Sequence, residues 1–327
     1  MRHVSILVPK GAAALGCIEG SFILFTKTND FLAARGRPPQ FAVQLVGLTG
    51  DAQVYDRLFS VRPDVTIDKI RKTDLIIIPA VNGNPDDVIA MNKGFFPWIV
   101  RQYQSGAEIA SLCVGAFLLA ATGLMKGKHC ATHWMSANDF RKRFPEVNLV
   151  SESIITDENG IYTSGGAHSF WNLLLYMLEK YTDREIAVYA SKFYEIEIDR
   201  DKQSPFLIFN GQKDHGDDVV KKAQELIESG YRERITVDHL CDTLAVGRRS
   251  LERRFKQATG NTVSEYIQRV RIEAAKKNLE TGRKNVNEAM YEAGYSDTKA
   301  FREVFKKIAG MSPLDYRTRY NRVAVSA

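Results

Sequence analysis

The sequence has 327 residues, a length that predicts two domains, and its four cysteines show no close pairing pattern, which argues against a disulfide framework. Pro9 and Lys10 interrupt the first apolar run too early for a secretory signal, and the run over residues 112–125 is too short to span a bilayer. The whole net charge of +6 lies from residue 217 onward, where 22 Lys and Arg accompany 16 Asp and Glu, whereas residues 1–216 hold 23 of each. We therefore expect a cytoplasmic protein without a membrane partner, in which a neutral body carries a basic module that binds a polyanion.

In chain order, the first two thirds of the sequence alternate between short apolar runs, which indicate buried strands, and longer amphipathic segments, which indicate helices. The predicted strands cover residues 4–8, 41–47, 74–79, 107–112, 129–132 and 161–164. The predicted helices cover residues 21–31, 88–105, 114–122, 167–181 and 183–198. This alternation predicts an α/β fold, a flavodoxin-like three-layer sandwich around a mainly parallel sheet, in which ligands bind beyond the carboxyl ends of the strands.

The segment IASLCVGAF places Cys113 between a predicted strand and a predicted helix. The small residues Ser111 and Gly115 lie two positions to either side, as a sharp turn with an outward-pointing side chain requires. A cysteine at the start of a helix has its thiolate favoured by the helix dipole and by unpaired N–H groups. His133 follows a later predicted strand, where it can orient or deprotonate the thiol. The alternative is a buried cysteine that only packs.

The segment SGGAHSF adds a second loop at the end of another predicted strand. Gly165 and Gly166 allow another group to approach the backbone closely, and His168 lies at the start of a helix. We therefore expect an effector pocket at this edge of the sheet. Its predicted lining consists of Cys113, His133, Gly165, Gly166 and His168.

The remainder of the chain has a helical pattern and contains two similar helical units. We predict that residues 218–327 form an all-α domain, and that residues 211–217 are a linker between it and a first domain of residues 1–210. A capping box of Thr262 and Glu265 opens the helix that joins the two units. In each unit a short turn separates two helices, which predicts two helix-turn-helix motifs. The second helices bury two apolar stripes, formed by Leu251, Phe255 and Ala258 and by Phe301, Val304, Phe305 and Ile308.

Two local signals define the turns of these motifs. Residues 245–247 turn the chain in the first motif, and Gly294 ends the first helix of the second motif. Ser296 is the predicted cap of the helix that follows, and Asp297 favours the positive end of that helix.

Residues 218–320 contain the motifs LERRFKQATGNTVSEYIQRVRIEAAKKNL and EAGYSDTKAFREVFKKIAGMSPLDYR, which resemble the C-terminal DNA-binding domain of AraC/XylS-type transcription regulators. The resemblance implies sequence-specific binding of double-stranded DNA through the second helix of each unit, with RNA polymerase as a further partner. Gly247 stands where the family usually has a capping serine, and Glu303 where it usually has an arginine, so we expect weaker phosphate contact by the second helix. The predicted DNA contacts are Arg248, Arg249, Glu252, Arg253, Thr298, Lys299 and Arg302.

Residues 1–190 contain the motifs ASLCVGAFLLAATGLMKGKHCATHW and TSGGAHSFWNLLL, which resemble the PfpI/ThiJ-like branch of the class I glutamine amidotransferase-like fold. The resemblance implies a pocket at Cys113 and a sensor domain that forms a homodimer. Family enzymes also use an acidic residue near the first helix. Glu19 is the nearest candidate here, but Cys17 occupies the place of the acid. If the protein is an enzyme, its catalytic residues are predicted to be Cys113, His133 and Glu19.

We predict a DNA-binding transcription regulator whose N-terminal domain binds a small-molecule effector and dimerises. No catalytic residue, cofactor or metal is expected. One alternative is a cysteine-dependent hydrolase or amidase with an attached DNA-binding domain, and another is a sensor of Cys113 oxidation. The repeated helix-turn-helix unit favours the regulator, whereas a complete set of glutamate, cysteine and histidine would favour the enzyme.

Overall fold

The computed structural model describes residues 1–55, 58–198, 203–206, 208–209, 211–213, 215–281 and 284–321. Its contacts divide the chain into two compact units, Met1–Gln203 and Ser204–Ala327. The first unit has one hydrophobic core, and the second has two. None of the helices in the described part of the chain combines the length and the hydrophobicity that a membrane-spanning helix needs.

A seven-stranded sheet forms the centre of the first unit. The strands of this unit are β1 (Arg2–Leu7), β2 (Ala12–Ala13), β3 (Phe41–Gly47), β4 (Gln53–Tyr55), β5 (Phe59–Val61), β6 (Val65–Thr66), β7 (Leu75–Ile78), β8 (Val81–Asn82), β9 (Glu108–Ser111), β10 (His129–Cys130), β11 (Asn148–Leu149), β12 (Ile155–Glu158) and β13 (Ile161–Ser164). The order across the sheet is β12-β13-β9-β7-β1-β3-β6. Neighbours are parallel except for β12 and β13, which are antiparallel. Val4 of β1 lies opposite Val43 of β3 and Leu75 of β7.

Helices pack against this sheet in two groups. The helices of the first unit are α1 (Leu15–Ala33), α2 (Pro85–Asn92), α3 (Phe96–Gln104), α4 (Ala116–Ala121), α5 (Ala137–Arg143), α6 (Ser169–Tyr181) and α7 (Arg184–Phe193). In one group α1, α6 and α7 contact one another, with α1 on β3 and α6 on β13; in the other, α2 contacts α4, which lies on β7. All four residues of β7 are buried, because a central parallel strand is covered on both faces. The predicted α/β sandwich around a mainly parallel sheet is confirmed.

Two predicted elements of the first unit are wrong in detail. The predicted helix over residues 88–105 is two helices, α2 and α3, separated by a 3-10 turn at Lys93–Phe95. Pro97 lies in the first turn of α3, where its missing N–H begins a helix more readily than it continues one. The predicted strand over residues 129–132 contains only β10, which pairs with β11 outside the main sheet. The edge strand β12 was not predicted, because its sequence ITDE lacks an apolar run.

The second unit is all-helical. Its helices are α8 (Asp218–Gly230), α9 (Val237–Leu244), α10 (Arg248–Thr259), α11 (Val263–Thr281), α12 (Val286–Glu292), α13 (Thr298–Ala309) and α14 (Pro313–Tyr320). One core surrounds Leu251 and Phe255, and the other surrounds Phe301 and Phe305. Helix α11 contributes its first half to one core and its second half to the other. The helix pairs α9–α10 and α12–α13 are the two predicted helix-turn-helix motifs.

These motifs repeat at a spacing of 50 residues. Helices α10 and α13 have 12 residues each, and they end at Gly260 and Gly310, whose φ angles of 70° and 75° are left-handed. In the helix that follows, the hydroxyl of Tyr266 donates to a glutamate of the same unit, and the hydroxyl of Tyr316 does the same. The two halves are therefore built in the same way, with glycine and tyrosine at equivalent positions.

Side-chain caps define where these helices begin. The predicted capping box at the start of α11 is present, since the N–H of Thr262 donates to Glu265 at 2.7 Å and the N–H of Glu265 donates to the Thr262 hydroxyl at 3.2 Å. The predicted cap of α13 is wrong by one residue. Asp297, not Ser296, is the cap, and its carboxylate accepts from the N–H of Ala300 at 2.6 Å.

The segment that precedes α8 packs on the second unit. The N–H of Phe209 donates to Glu273 at 3.1 Å, and the carbonyl of Gln212 accepts from Gln224 at 3.0 Å. The division between the units thus lies before the predicted linker of residues 211–217, of which residue 214 lies outside the described residues. The limits of that linker stay a prediction.

Candidate functional site

The turn after β9 holds Cys113 in a strained conformation. Its φ is +55°, which is uncommon for a residue with a side chain. The N–H of Cys113 donates to the Ser164 hydroxyl at 3.1 Å, and its carbonyl accepts from the Thr132 hydroxyl at 3.1 Å. A Cβ at Gly115 would lie 2.7 Å from the carbonyl oxygen of Ile78, so only glycine fits there. Cys113 therefore lies at the carboxyl edge of the sheet, beside the ends of β7 and β13.

Burial is the main influence on the pKa values of the two cysteine thiols at this edge. Burial raises the pKa of Cys113, and hydrogen bonds from the backbone of Ala167 and Val114 offset only part of this increase. Burial also raises the pKa of Cys17 to about 12; a backbone hydrogen bond from Ala80 lowers it, and negative charge on Cys113 raises it. The electrostatic coupling indicates that Cys17 is a neighbour of Cys113. Both thiols are therefore protonated at neutral pH.

His133 packs against the loop that follows β13. A Cβ at Gly166 would lie 2.6 Å from the imidazole ring of His133. The ring nitrogen Nδ1 of His133 accepts from the N–H of Met135 at 3.1 Å, and burial lowers the pKa of His133, so this imidazole is neutral at neutral pH. His168, by contrast, is exposed before the first turn of α6. The contacts thus link Cys113, His133 and the glycine loop, while His168 lies towards solvent.

Glu19 was predicted as the catalytic acid only if the protein is an enzyme. Its side chain is exposed on α1. Burial and the charge of Glu19 together raise the pKa of Tyr194, whereas the pKa of Cys113 responds to burial and to backbone groups. Cys17, and not Glu19, is the residue of α1 that is coupled to Cys113.

Gln203, which the sequence did not single out, joins three loops at this edge. Its carboxamide oxygen accepts from the N–H of Gly166 at 3.1 Å, and its nitrogen donates to the carbonyls of Thr132 at 3.1 Å and Ser153 at 3.0 Å. Gln203 is 1% exposed. These partners lie 37, 71 and 50 residues away in the sequence, so no local pattern reveals the contacts.

A cavity of about 580 Å³ lies elsewhere in the first unit. Its polar groups include His129, which pairs with Glu158 at 3.1 Å, and Arg141, which donates to Ser151 at 3.0 Å. Both are held by neighbouring side chains. The lining consists of His129, Arg141, Phe144, Pro145, Val147, Asn148, Leu149 and Val150, and includes none of the predicted pocket residues.

Helix α10 exposes the four residues predicted to contact DNA. Arg248 is held by Asp238 at 3.0 Å and by Glu252 at 3.1 Å. Arg249 and Arg253 form no ion pair within the part of the chain that the structure describes. Helix α13 carries its predicted contacts 50 residues later, at positions equivalent to 248, 249 and 252. These contacts are Thr298, Lys299 and Arg302.

A groove of about 540 Å³ runs beside this face of α13. It is lined by Arg302 and Lys306 of α13 and by Arg317 of α14, beside Ser312, which caps α14. The Nε atom of Arg317 is buried without a hydrogen-bond partner. None of the three cations forms an ion pair with a described residue. The equivalent positions of the first motif carry no net charge; they are occupied by Glu252, Lys256 and Ile267.

Comparison with known proteins assigns both units. Residues 26–180 match the DJ-1/PfpI family, and residues 240–319 match a helix-turn-helix domain family. The HTH-type transcriptional regulator ArgR of Pseudomonas aeruginosa is 27% identical over 217 residues, which are 66% of this chain and 66% of that protein. The HTH-type transcriptional regulator GbdR of the same species is 24% identical over 258 residues, which are 79% of this chain and 69% of that protein. The chain thus spans about two thirds of the length of these curated relatives.

A solved structure shows a related fold. The crystal structure of an AraC family transcriptional regulator from Pseudomonas putida has a TM-score of 0.51 at 13% identity, and covers 59% of this chain and 100% of that chain. Together with the family matches, the fold and the two repeated motifs lead to one assignment. The chain joins an N-terminal DJ-1/PfpI-family domain to a C-terminal AraC-type helix-turn-helix domain, the domain architecture of a DNA-binding transcriptional regulator.

Proposed function

We propose that this protein regulates transcription by binding a specific duplex sequence through α10 and α13. The observation that carries the proposal is the repeat, in which two equivalent helices expose polar, mostly basic faces from equivalent positions. Arginine on a helix face is the usual reader of guanine in the major groove. Because α11 packs into both cores, the two helices are held in a fixed geometry, and we expect them to enter major-groove segments roughly 34 Å apart.

Arg249 is the expected base reader on α10, because it is exposed and unpaired among the described residues, whereas Arg248 is already held by two carboxylates. We expect Arg249→Ala to weaken binding to the preferred duplex by about 1–3 kcal/mol and to relax specificity at one base position. Arg234→Ala, at an exposed site outside both recognition helices, is the control. Equilibrium titration against preferred and scrambled duplexes measures both effects. If Arg249→Ala had the same ratio of affinities for the preferred and the scrambled duplex as the parent, this role of α10 would be refuted.

The first unit is proposed as a sensor domain that binds a small polar effector at the Cys113 edge. Support comes from the loops that follow β9 and β13, which meet at the carboxyl edge of a parallel sheet, where such folds bind ligands. An effector that prefers one of two arrangements of the chain shifts their populations and thereby changes DNA binding. A homodimer of this unit and a contact with RNA polymerase belong to the same proposal.

We further propose that this site binds its ligand without catalysis. Nucleophilic chemistry needs a thiolate and a proton carrier. Burial keeps the Cys113 thiol protonated, and His133 is engaged by the N–H of Met135. Cys17 is the neighbour of Cys113 on α1, where an enzyme would use a carboxylate. The strained φ of Cys113 is the observation that favours the alternative, a cysteine-dependent hydrolase or amidase.

Cys113→Ser separates these two functions. We expect the parent protein to hydrolyse neither p-nitroanilide nor p-nitrophenyl ester substrates, because its thiol is neutral at pH 7. We expect the variant to bind DNA as the parent does but to lose or change its stabilisation by the metabolites that raise the melting temperature of the parent. A thermal-shift screen of both proteins and a chromogenic assay are the measurements. Turnover by the parent that disappears in Cys113→Ser, with DNA binding intact, would establish the enzyme instead.

A further inference from the structure

The side chain of Gln203 fills a polar cradle at the carboxyl edge of the sheet. The cradle offers one N–H donor, from Gly166, and two carbonyl acceptors, from Thr132 and Ser153. A primary amide matches this set, since its oxygen accepts and its nitrogen donates twice. A carboxylate of the same shape does not match, because its second oxygen would face two carbonyl oxygens and has no proton to donate.

The cradle and Cys113 belong to one hydrogen-bonded network. Thr132, whose carbonyl accepts from Gln203, donates its hydroxyl to the carbonyl of Cys113 at 3.1 Å. Gly166, whose N–H donates to Gln203, directly precedes Ala167, whose backbone forms a hydrogen bond with the Cys113 thiol. Gln203 is therefore joined, through Thr132 and the loop of Gly166, to the backbone groups that hold Cys113.

The glycine loop is built around the carboxamide. A Cβ at Gly165 would lie 2.8 Å from the carboxamide of Gln203, and a Cβ at Gly166 would lie 2.6 Å from the ring of His133. Neither glycine has a left-handed φ, so the close approach of these two side chains, and not the backbone conformation, is what favours glycine at both positions.

We propose that the carboxamide of Gln203 is an internal ligand of the effector site, and that the effector carries a primary amide or urea group that displaces it. The proposal deepens the sensor function above and depends on it. Displacement exchanges hydrogen bonds for others of the same kind, so its net cost in hydrogen bonding is small. A tethered group competes at an effective concentration of the order of millimolar, so the effector also contacts Cys113 or His133 to gain affinity.

Gln203 is also placed to transmit the exchange. It is the last residue of the first unit, and Ser204 begins the second. Besides its side chain, its N–H donates to the carbonyl of Glu152 at 3.0 Å, so the carboxamide forms three of the four hydrogen bonds that join Gln203 to described residues. When an amide takes its place, the chain is released where it leaves the sensor, and effector binding is thereby coupled to the DNA-binding unit.

Gln203→Glu tests the coupling, with Gln102→Glu as the matched control. Gln102 is equally a buried glutamine whose oxygen accepts an N–H, from Thr73 at 3.1 Å, and whose nitrogen donates to carbonyls, among them that of Arg71 at 3.2 Å. The full chain is titrated with the duplex that the parent selects from a random pool. We expect Gln203→Glu to change Kd by about fivefold or more, and Gln102→Glu to leave Kd unchanged. Equal effects in both variants, or no effect in Gln203→Glu, would overturn the coupling.

Gln203→Ala tests the chemistry of the cradle. We expect acetamide, which matches the CH2–CONH2 group that the substitution removes, to raise the melting temperature of this variant more than that of the parent, and the isosteric acetate to have no such effect. Equal stabilisation by acetate, or none by acetamide, would overturn the amide specificity. The proposed function fails separately, because its failure is an absence of sequence-specific DNA binding in the parent.

Discussion

Replacing Gly294 by alanine is expected to destabilise the second unit by about 3 kcal/mol or more. Gly294 has a φ of +81°, a left-handed conformation that costs a residue with a side chain about 1–2 kcal/mol. A Cβ would also lie 2.7 Å from the carbonyl oxygen of Tyr231 and 3.0 Å from that of Arg232. Both atoms belong to the backbone, so no rotation of a side chain relieves the contact. Because Gly294 joins α12 to α13, DNA binding is lost together with stability.

Gly260→Ala is the matched control for this effect. Its φ of +70° is also left-handed, but no other described group lies within 4 Å of the Cβ position, so we expect a loss of only about 1–2 kcal/mol. Urea unfolding can follow the two units separately, since the three tryptophans, Trp98, Trp134 and Trp171, lie in the first unit. The circular dichroism transition of the second unit should shift while the tryptophan fluorescence transition stays. If the urea unfolding curves of Gly294→Ala and Gly260→Ala coincided, the predicted clash of a Cβ at position 294 with the backbone of Tyr231 and Arg232 would be contradicted.

Neutralising Arg302 and Lys306 together, as Arg302→Gln with Lys306→Gln, is expected to lower DNA affinity about tenfold and to reduce the salt dependence of binding. Each phosphate contact contributes about 0.9 to the slope of log K against log salt, so the slope should fall by about 2. The reason is that Arg302, Lys306 and Arg317 line one groove and form no ion pair with a described carboxylate, so their charges are available to phosphate. We therefore expect Arg302 to contact the backbone, and the loss to be the same for every sequence.

A control distinguishes this effect from a general loss of charge. Lys222→Gln removes an exposed cation from α8, outside the recognition helices and the groove, and should leave the slope nearly unchanged. Binding at several salt concentrations, with preferred and scrambled duplexes, is the measurement. A double variant that keeps its slope but changes its preference at one base pair would show that Arg302 reads a base.

The helical unit was largely predictable because its signals are local. The stripes that contain Leu251 and Phe301 recur every three to four residues, and both lie in the observed cores. The same locality explains the one wrong cap. Ser296 and Asp297 are adjacent and both can accept a hydrogen bond from a helix N-terminus, and only the path of the chain decides between them.

In the first unit, the sequence predicts the strands that are buried on both faces of the sheet better than the strands at the edges of the sheet. The apolar run of β7 marks a central strand, whereas β12 is recognised only through its partner β13. The same limit applies to the candidate site. Small neighbours mark the turn at Cys113, but the contacts of Gln203 and the coupling of Cys17 to Cys113 arise only when distant loops meet.

Helix α11 fixes the spacing between the two DNA segments that the protein contacts in its operator. Its 19 residues span about 28 Å and are packed at both ends, so the two recognition helices cannot move apart independently. One base pair inserted between their two contact segments would add about 3.4 Å and rotate one segment by about 35° around the duplex, which turns bases away from one helix. Operators for this protein are therefore expected to diverge by base substitution and to conserve their spacing.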